Sequence, residues 1–122
     1  TFTGFREDIA SVMSAVDVLV HPAEDEPLGR VVLEAMSLAV PCVAVNHCGP
    51  AEIIEDGETG ILVPRPDPRE IAARVIELLS RPGAIERMGQ AARRSINMRF
   101  TAERMARLTE DLYEEALAER RR

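Results

Sequence analysis

The chain has 122 residues, a net charge of −6, 46% hydrophobic content and 30% charged content. That is the size and balance of one globular domain with one core. The acidic surplus argues against a nucleic-acid backbone as partner, and no apolar run approaches the ~18 residues that cross a bilayer.

Thr1 to Phe5 reads as the end of a strand followed by a turn at Gly4. From Arg6 to Val16 the apolar residues Ile9, Val12, Met13 and Val16 recur at helical spacing. Val18 to Val20 is an apolar run long enough for a buried strand. Pro22 to Gly29 is a loop holding two prolines, a glycine and three acids. A helix is predicted from about Gly29 to Ala39, and Cys42 to Val45 is a second strand. This is a βαβ unit, and its crossover length suits a parallel pair. Gly49 and Pro50 read as N-cap and first residue of a short helix ending near Asp56-Gly57. Ile61 to Val63 is a third short strand.

Residues 1–64 therefore alternate strand and helix about three times, an α/β doubly wound pattern. Residues 65–122 are read as helices of the same single domain. Asp67-Pro-Arg-Glu70 has the form of a capping box with proline at the first helical position. Ile71, Val75, Leu78 and Leu79 form the expected buried stripe behind it. Pro82-Gly83 breaks the chain, and Ile85, Met88, Ala92 and Ile96 define a second helix. Thr101 can cap a third, with Phe100 and Met105 as a hydrophobic staple. In that helix Met105, Leu108, Leu112 and Ala116 are expected to face inward. Arg120 to Arg122 is a solvated basic tail.

The helix after the acidic loop is unusual. It is apolar on nearly all sides, so it should be largely buried. Its polar residues Arg30, Glu34 and Ser37 lie on one stripe. Such a stripe looks at water, an ion pair or a ligand. In open α/β sheets ligands bind outside the carboxyl ends of strands, and helix N-termini there attract anions. Leu28, Gly29 and Arg30 supply backbone N–H groups at that helix start, and Gly29 allows close approach. As a bland alternative, Gly29 is only a turn residue. Arg30 and Glu34 make an i, i+4 pair worth ~0.2–0.5 kcal/mol when exposed. Glu26 could be one more solvated acid in the run Glu24-Asp25-Glu26. His21 reads as a packing or hydrogen-bonded histidine, His47 likewise, and Glu52 as a capping residue. Cys42 reads as a buried strand residue and Cys48 as a loop residue. With no metal-ligand spacing, both are expected as free thiols in a reducing compartment.

Glu26-Pro-Leu-Gly-Arg-Val-Val-Leu-Glu34-Ala-Met closely resembles the E-x7-E motif of retaining, nucleotide-sugar-dependent glycosyltransferases of family 4, which have the GT-B fold. The similarity continues through Cys48 to Pro64 and Phe100 to Leu117, so it covers nearly the whole chain. The resemblance implies a Rossmann-like three-layer αβα half-domain with a parallel sheet and an all-helical C-terminal segment, the C-terminal part of the donor-binding domain. It implies that Glu26 contacts hydroxyls of the donor sugar and that Glu34 binds the ribose hydroxyls. It further implies that the N–H groups of Leu28, Gly29 and Arg30 receive the diphosphate, and that Gly4 lies near the nucleotide base. A plain turn glycine is the alternative for Gly4. The implied ligand is a nucleotide-diphosphate sugar. No cofactor is expected, and catalysis is expected without a metal. The family's acceptor-binding N-terminal domain and its diphosphate-binding Arg and Lys pair have no counterpart in this sequence. Arg30 could partly replace that pair. The isolated chain is therefore expected to be inactive. A cytoplasmic location is expected, with peripheral membrane association left open. Thr1 is expected to be a truncation or processing boundary. The competing function is a non-catalytic nucleotide-sugar-binding or interaction module. Ala39-Val40 and Cys48-Gly49 depart from the family's usual Gly-Lys and Gly-Gly. A left-handed alanine at position 39 would cost about 1 kcal/mol, so a different turn is expected there.

Overall fold

In the computed structural model, which describes residues 1–120, three short parallel strands form the centre. They are β1 (Leu19–His21), β2 (Cys42–Val45) and β3 (Ile61–Val63), in the order β1-β2-β3. Leu19 pairs with Cys42, and Val43 pairs with Ile61. The helices are α1 (Ile9–Ser14), α2 (Arg30–Ser37), α3 (Cys48–Ile53), α4 (Pro68–Ser80), α5 (Ala84–Arg99) and α6 (Ala102–Glu119).

Alternation along β2 sorts the core into two faces. Cys42 and Ala44 join Val32, Ala35 and Met36 of α2 and Ala92 and Ile96 of α5 in one cluster. Val43, Val45 and Val63 pack against Ile71 and Val75 of α4 on the other. The result is the expected three-layer αβα arrangement. Each fully buried side chain of the Val32 or Met36 kind stabilises it by about 1.5–3 kcal/mol.

The ends of the elements follow local chemistry. Asp67 caps α4 by accepting from the Arg69 N–H at 2.9 Å, with Pro68 at the first position. Thr101 caps α6 by accepting from Arg104 at 3.1 Å. At the end of α2, Ala39 is left-handed at φ 62. Its N–H donates to the Met36 carbonyl and the Val40 N–H to that of Ala35, at 3.0 and 2.9 Å. This is a Schellman closure made without glycine, so the expectation of a different turn is corrected.

Other expectations are corrected as well. Residues 1–8 form no helix or strand: a strand needs a hydrogen-bonding neighbour, and Phe2 and Phe5 stand fully exposed. α1 is shorter than residues 6–16. Arg6 bonds the Asp8 carboxylate through Nε and Nη2 at 2.8 and 2.5 Å, and Asp8 makes no side-chain cap. α3 starts at Cys48 with His47 as N-cap, so Pro50 is its third residue, and it ends at Ile53. Leu79 is exposed on α4. Phe100 and Met105 are also exposed, so the staple is not packed, and Met105, Leu108 and Leu112 of α6 face solvent. Of the basic tail, residues 121 and 122 lie outside the described residues.

Arg99 ties the end of α5 to the end of α3. Its guanidinium donates to the Glu52 carbonyl at 2.7 Å, the Ile53 carbonyl at 3.4 Å and the Glu55 carboxylate at 2.8 Å. It also lies 5.2 Å from the centroid of the Phe100 ring.

Candidate functional site

β1 runs out at His21, and Pro22 to Leu28 carry the chain over the carboxyl end of the sheet to α2. Gly29 is the N-cap of α2 and is left-handed at φ 80, a conformation that glycine adopts without steric cost. The cap has no side-chain oxygen of its own. Glu26 supplies one: its Oε1 accepts from the Gly29 N–H at 2.9 Å and more weakly from the Leu28 N–H at 3.4 Å. These two bonds, Gly29 first, hold the Glu26 carboxyl below its ordinary value of 4.5; nearby His21 works in the same direction and partial desolvation opposes them. The carboxylate is therefore charged at neutral pH and oriented. Its side chain remains 35% exposed, so it is fixed but reachable.

The loop is braced from behind. The Gly49 N–H donates to the Glu26 carbonyl at 3.0 Å. A Cβ at position 49 would run into the backbone of Leu28, so only glycine allows this approach. His47 Nδ1 lies 2.9 Å from the Glu24 carbonyl and 3.0 Å from Cys48 Sγ. The start of α3 thus clamps the acidic loop. Cys48 has φ 47, a rare conformation for a side-chain-bearing residue, and this is where the sequence departs from Gly-Gly.

Each predicted site residue has a definite place. Glu26, Leu28 and Gly29 come together at the α2 N-terminus. Two of the three predicted N–H donors are occupied by Glu26, so an incoming anion would share or displace that carboxylate oxygen. The N–H groups of Arg30 and Val31, at the open first turn, point out of the helix end. Glu34 lies one turn into α2, half-exposed, with Oε1 3.7 Å from Arg30 Nη2. Arg30 itself is 82% exposed, so this pair is weak. Gly4 stands apart in the exposed N-terminal coil at φ 72, with open space around it. Among the described residues it makes no hydrogen bond to the loop or to α2.

Sequence reasoning missed two contributors. Gly49 was read as a cap, whereas it braces the loop. His21 was read as a packing or hydrogen-bonded histidine, with no link to Glu26. It is 8% exposed, its Nε2 lies 4.0 Å from Glu26 Oε2, and its Nδ1 is buried without a partner. An orphaned buried nitrogen costs on the order of 1–3 kcal/mol. The sequence signal was only that a histidine ends a strand five residues before the loop glutamate. Among the described residues no group of His, Cys, Asp and Glu is placed to hold a metal ion, and no helix is long and apolar enough to cross a membrane.

A parallel sheet whose first strand feeds an acidic loop, with a carboxylate fixed across the next helix N-terminus, defines a Rossmann-like half-domain of the GT-B kind. The chain belongs to the glycosyl transferases group 1 family, whose model matches residues 1–95. It is 32% identical over 116 residues to N-acetyl-alpha-D-glucosaminyl L-malate synthase of Bacillus anthracis, which covers 95% of this chain and 30% of that protein. It is 43% identical over 94 residues to alpha-D-kanosaminyltransferase of Streptomyces kanamyceticus, covering 75% of this chain and 24% of that one. Among solved structures, Anabaena HepE in complex with UDP-glucose matches with a TM-score of 0.83 at 30% identity, over 93% of this chain and 32% of HepE. The chain thus spans about a third or less of the length of these relatives.

Proposed function

We propose that this chain is the donor-binding portion of a retaining glycosyltransferase, which moves a sugar from a nucleotide-diphosphate sugar to an acceptor. The observation that carries this reading is the Glu26 carboxylate. It is ionised, held by the Gly29 N–H at 2.9 Å, and still reachable at the carboxyl end of β1. A fixed carboxylate suits vicinal sugar hydroxyls and the positive charge that develops on the sugar ring. The open first turn of α2 offers N–H groups to the diphosphate. Glu34, one turn further on, takes the ribose hydroxyls, a usual task for a carboxylate. Its exposure and its weak pairing with Arg30 leave it free to do so. Gly4 would approach the base only if the N-terminal coil folds over the site. No metal enters this scheme; the N–H groups at the start of α2 meet the leaving diphosphate. The acceptor is held by a domain outside this chain, and the location is cytoplasmic.

A second reading is a non-catalytic nucleotide-sugar-binding module. It is favoured by one observation: the loop holds three acids, and the only nearby cationic side chain on the α2 stripe, Arg30, points to solvent.

The test is made in a full-length protein carrying this chain. Glu26→Gln should lower turnover at least 100-fold, on the order of 3 kcal/mol, with only a small fall in melting temperature from the weakened cap of α2. Glu34→Ala should weaken binding of UDP alone, measured by calorimetry. Unchanged turnover in the first variant would rule out the proposed sugar contact. A stability change without a binding change in the second would assign Glu34 to its pair with Arg30.

A further inference from the structure

His21 is the last residue of β1, in register with Ala44 of β2. Its ring is enclosed, yet it carries an unpartnered Nδ1, and its Nε2 faces Glu26 at 4.0 Å. A ring held only for packing would be better replaced by an apolar one, because an orphaned nitrogen is penalised. The polar group it faces is the carboxylate that caps α2. Burial also selects the tautomer. An orphaned buried N–H is rarer in folded proteins than an under-satisfied acceptor, so the proton belongs on Nε2, the nitrogen nearest Glu26.

We propose that His21 is a positioning residue for Glu26. Its Nε2–H steadies Oε2 while the Gly29 N–H holds Oε1, and together they set the direction in which the remaining Oε2 lone pair meets a ligand hydroxyl. The 4.0 Å separation lies about 1 Å beyond hydrogen-bond range. A small pivot of the Glu26 carboxylate about the Oε1 bond to Gly29 would bring Oε2 into range with β1 in place. The consequence for turnover rests on the reading of Glu26 as the donor-sugar contact. The pairing itself rests on the geometry alone.

Two measurements separate these levels. In this chain, at about pH 8 where histidine is ordinarily neutral, nitrogen-edited NMR reads the imidazole of His21 in the wild type and in Glu26→Gln. The expected result is the Nε2–H tautomer, with an Nε2 resonance that moves on the substitution. An Nδ1–H tautomer, or resonances that do not move, would overturn the proposal. In the full-length protein, with UDP-glucose as the probe donor, His21→Phe keeps the ring bulk and removes the donor, whereas His21→Gln keeps an N–H near the Nε2 position. His21→Phe should lower kcat about tenfold with little change in donor KM, His21→Gln should recover most of it, and His21→Phe should cost nothing further in a Glu26→Gln background. Equal losses in the two variants, or additive losses with Glu26→Gln, would overturn it. Should Glu26→Gln itself leave kcat unchanged, the sugar-contact reading fails, and the NMR comparison still decides whether His21 orients the carboxylate.

Discussion

The surroundings of Glu26 and Cys42 move their pKa values in opposite directions, each further from neutral pH, so Glu26 stays ionised and Cys42 stays a thiol. The N–H groups of Gly29 and Leu28 lower the Glu26 pKa. The stability this cap contributes is therefore present above the ordinary value of 4.5 and is lost as pH falls through the lowered one. Burial does the opposite to Cys42, pushing its thiol from 9.0 up to about 12. Its contribution is fully present below pH 9.0 and is lost as pH rises toward 12, because the unfolded chain ionises first. Cys48 is exposed and Cys42 buried, and both are free thiols. A thiol-reactive disulfide reagent at about pH 8 should therefore modify Cys48 alone in the native chain and both cysteines in denaturant. Fast modification of both without denaturant would show that the α2–β2 packing over Cys42 opens readily.

α2 is the element on which the site depends, and its hydrophobic pattern displays neither the Gly29–Glu26 cap at its start nor the left-handed Ala39 at its end. Its C-terminal closure keeps Ala39 left-handed at φ 62. Replacing it with glycine should raise the unfolding free energy by about 1 kcal/mol, read as a shift in denaturant midpoint at constant slope. A fall in stability would mean that the alanine methyl packs more than the strain costs. The same contrast explains what was legible in the sequence. Strands β2 and β3, and helices α4 and α5, announce themselves through apolar period and through Asp67-Pro68, because pattern and cap coincide there. The start of α3 was misplaced, since Gly49-Pro50 looks like a cap and is instead held inside the helix by the brace to Glu26. α6 was legible as a helix through Thr101 and its apolar spacing, but its burial was not. Spacing says which face is apolar, not whether anything covers it. The Glu26–His21 proximity was invisible for a related reason: it depends on how β1 and its loop turn in space.

At the scale of the molecule, charge works against the proposed ligand. The chain carries −6 overall, and Glu24, Asp25, Glu26 and Glu34 all lie on the loop or on α2. One helix dipole offsets only about 0.3–1 kcal/mol at an exposed site. UDP-glucose titrated into this chain at low salt should accordingly show no saturation below about 1 mM, and no transfer should be detected. Micromolar affinity would mean that the site lies elsewhere or is complete without another domain. The side chain of Arg99 bears on how the chain reaches this form at all. It satisfies carbonyls at the end of α3 across a separation of 46 residues, and the partner carboxylate of Glu55 lies nearly as far away. Ribosomes add about 5–20 residues per second, so roughly 2–9 s pass between synthesis of α3 and of its latch. Throughout that interval the nascent chain carries the end of α3 with carbonyls and apolar residues still uncovered, a surface that a holdase chaperone would engage before the sheet is sealed.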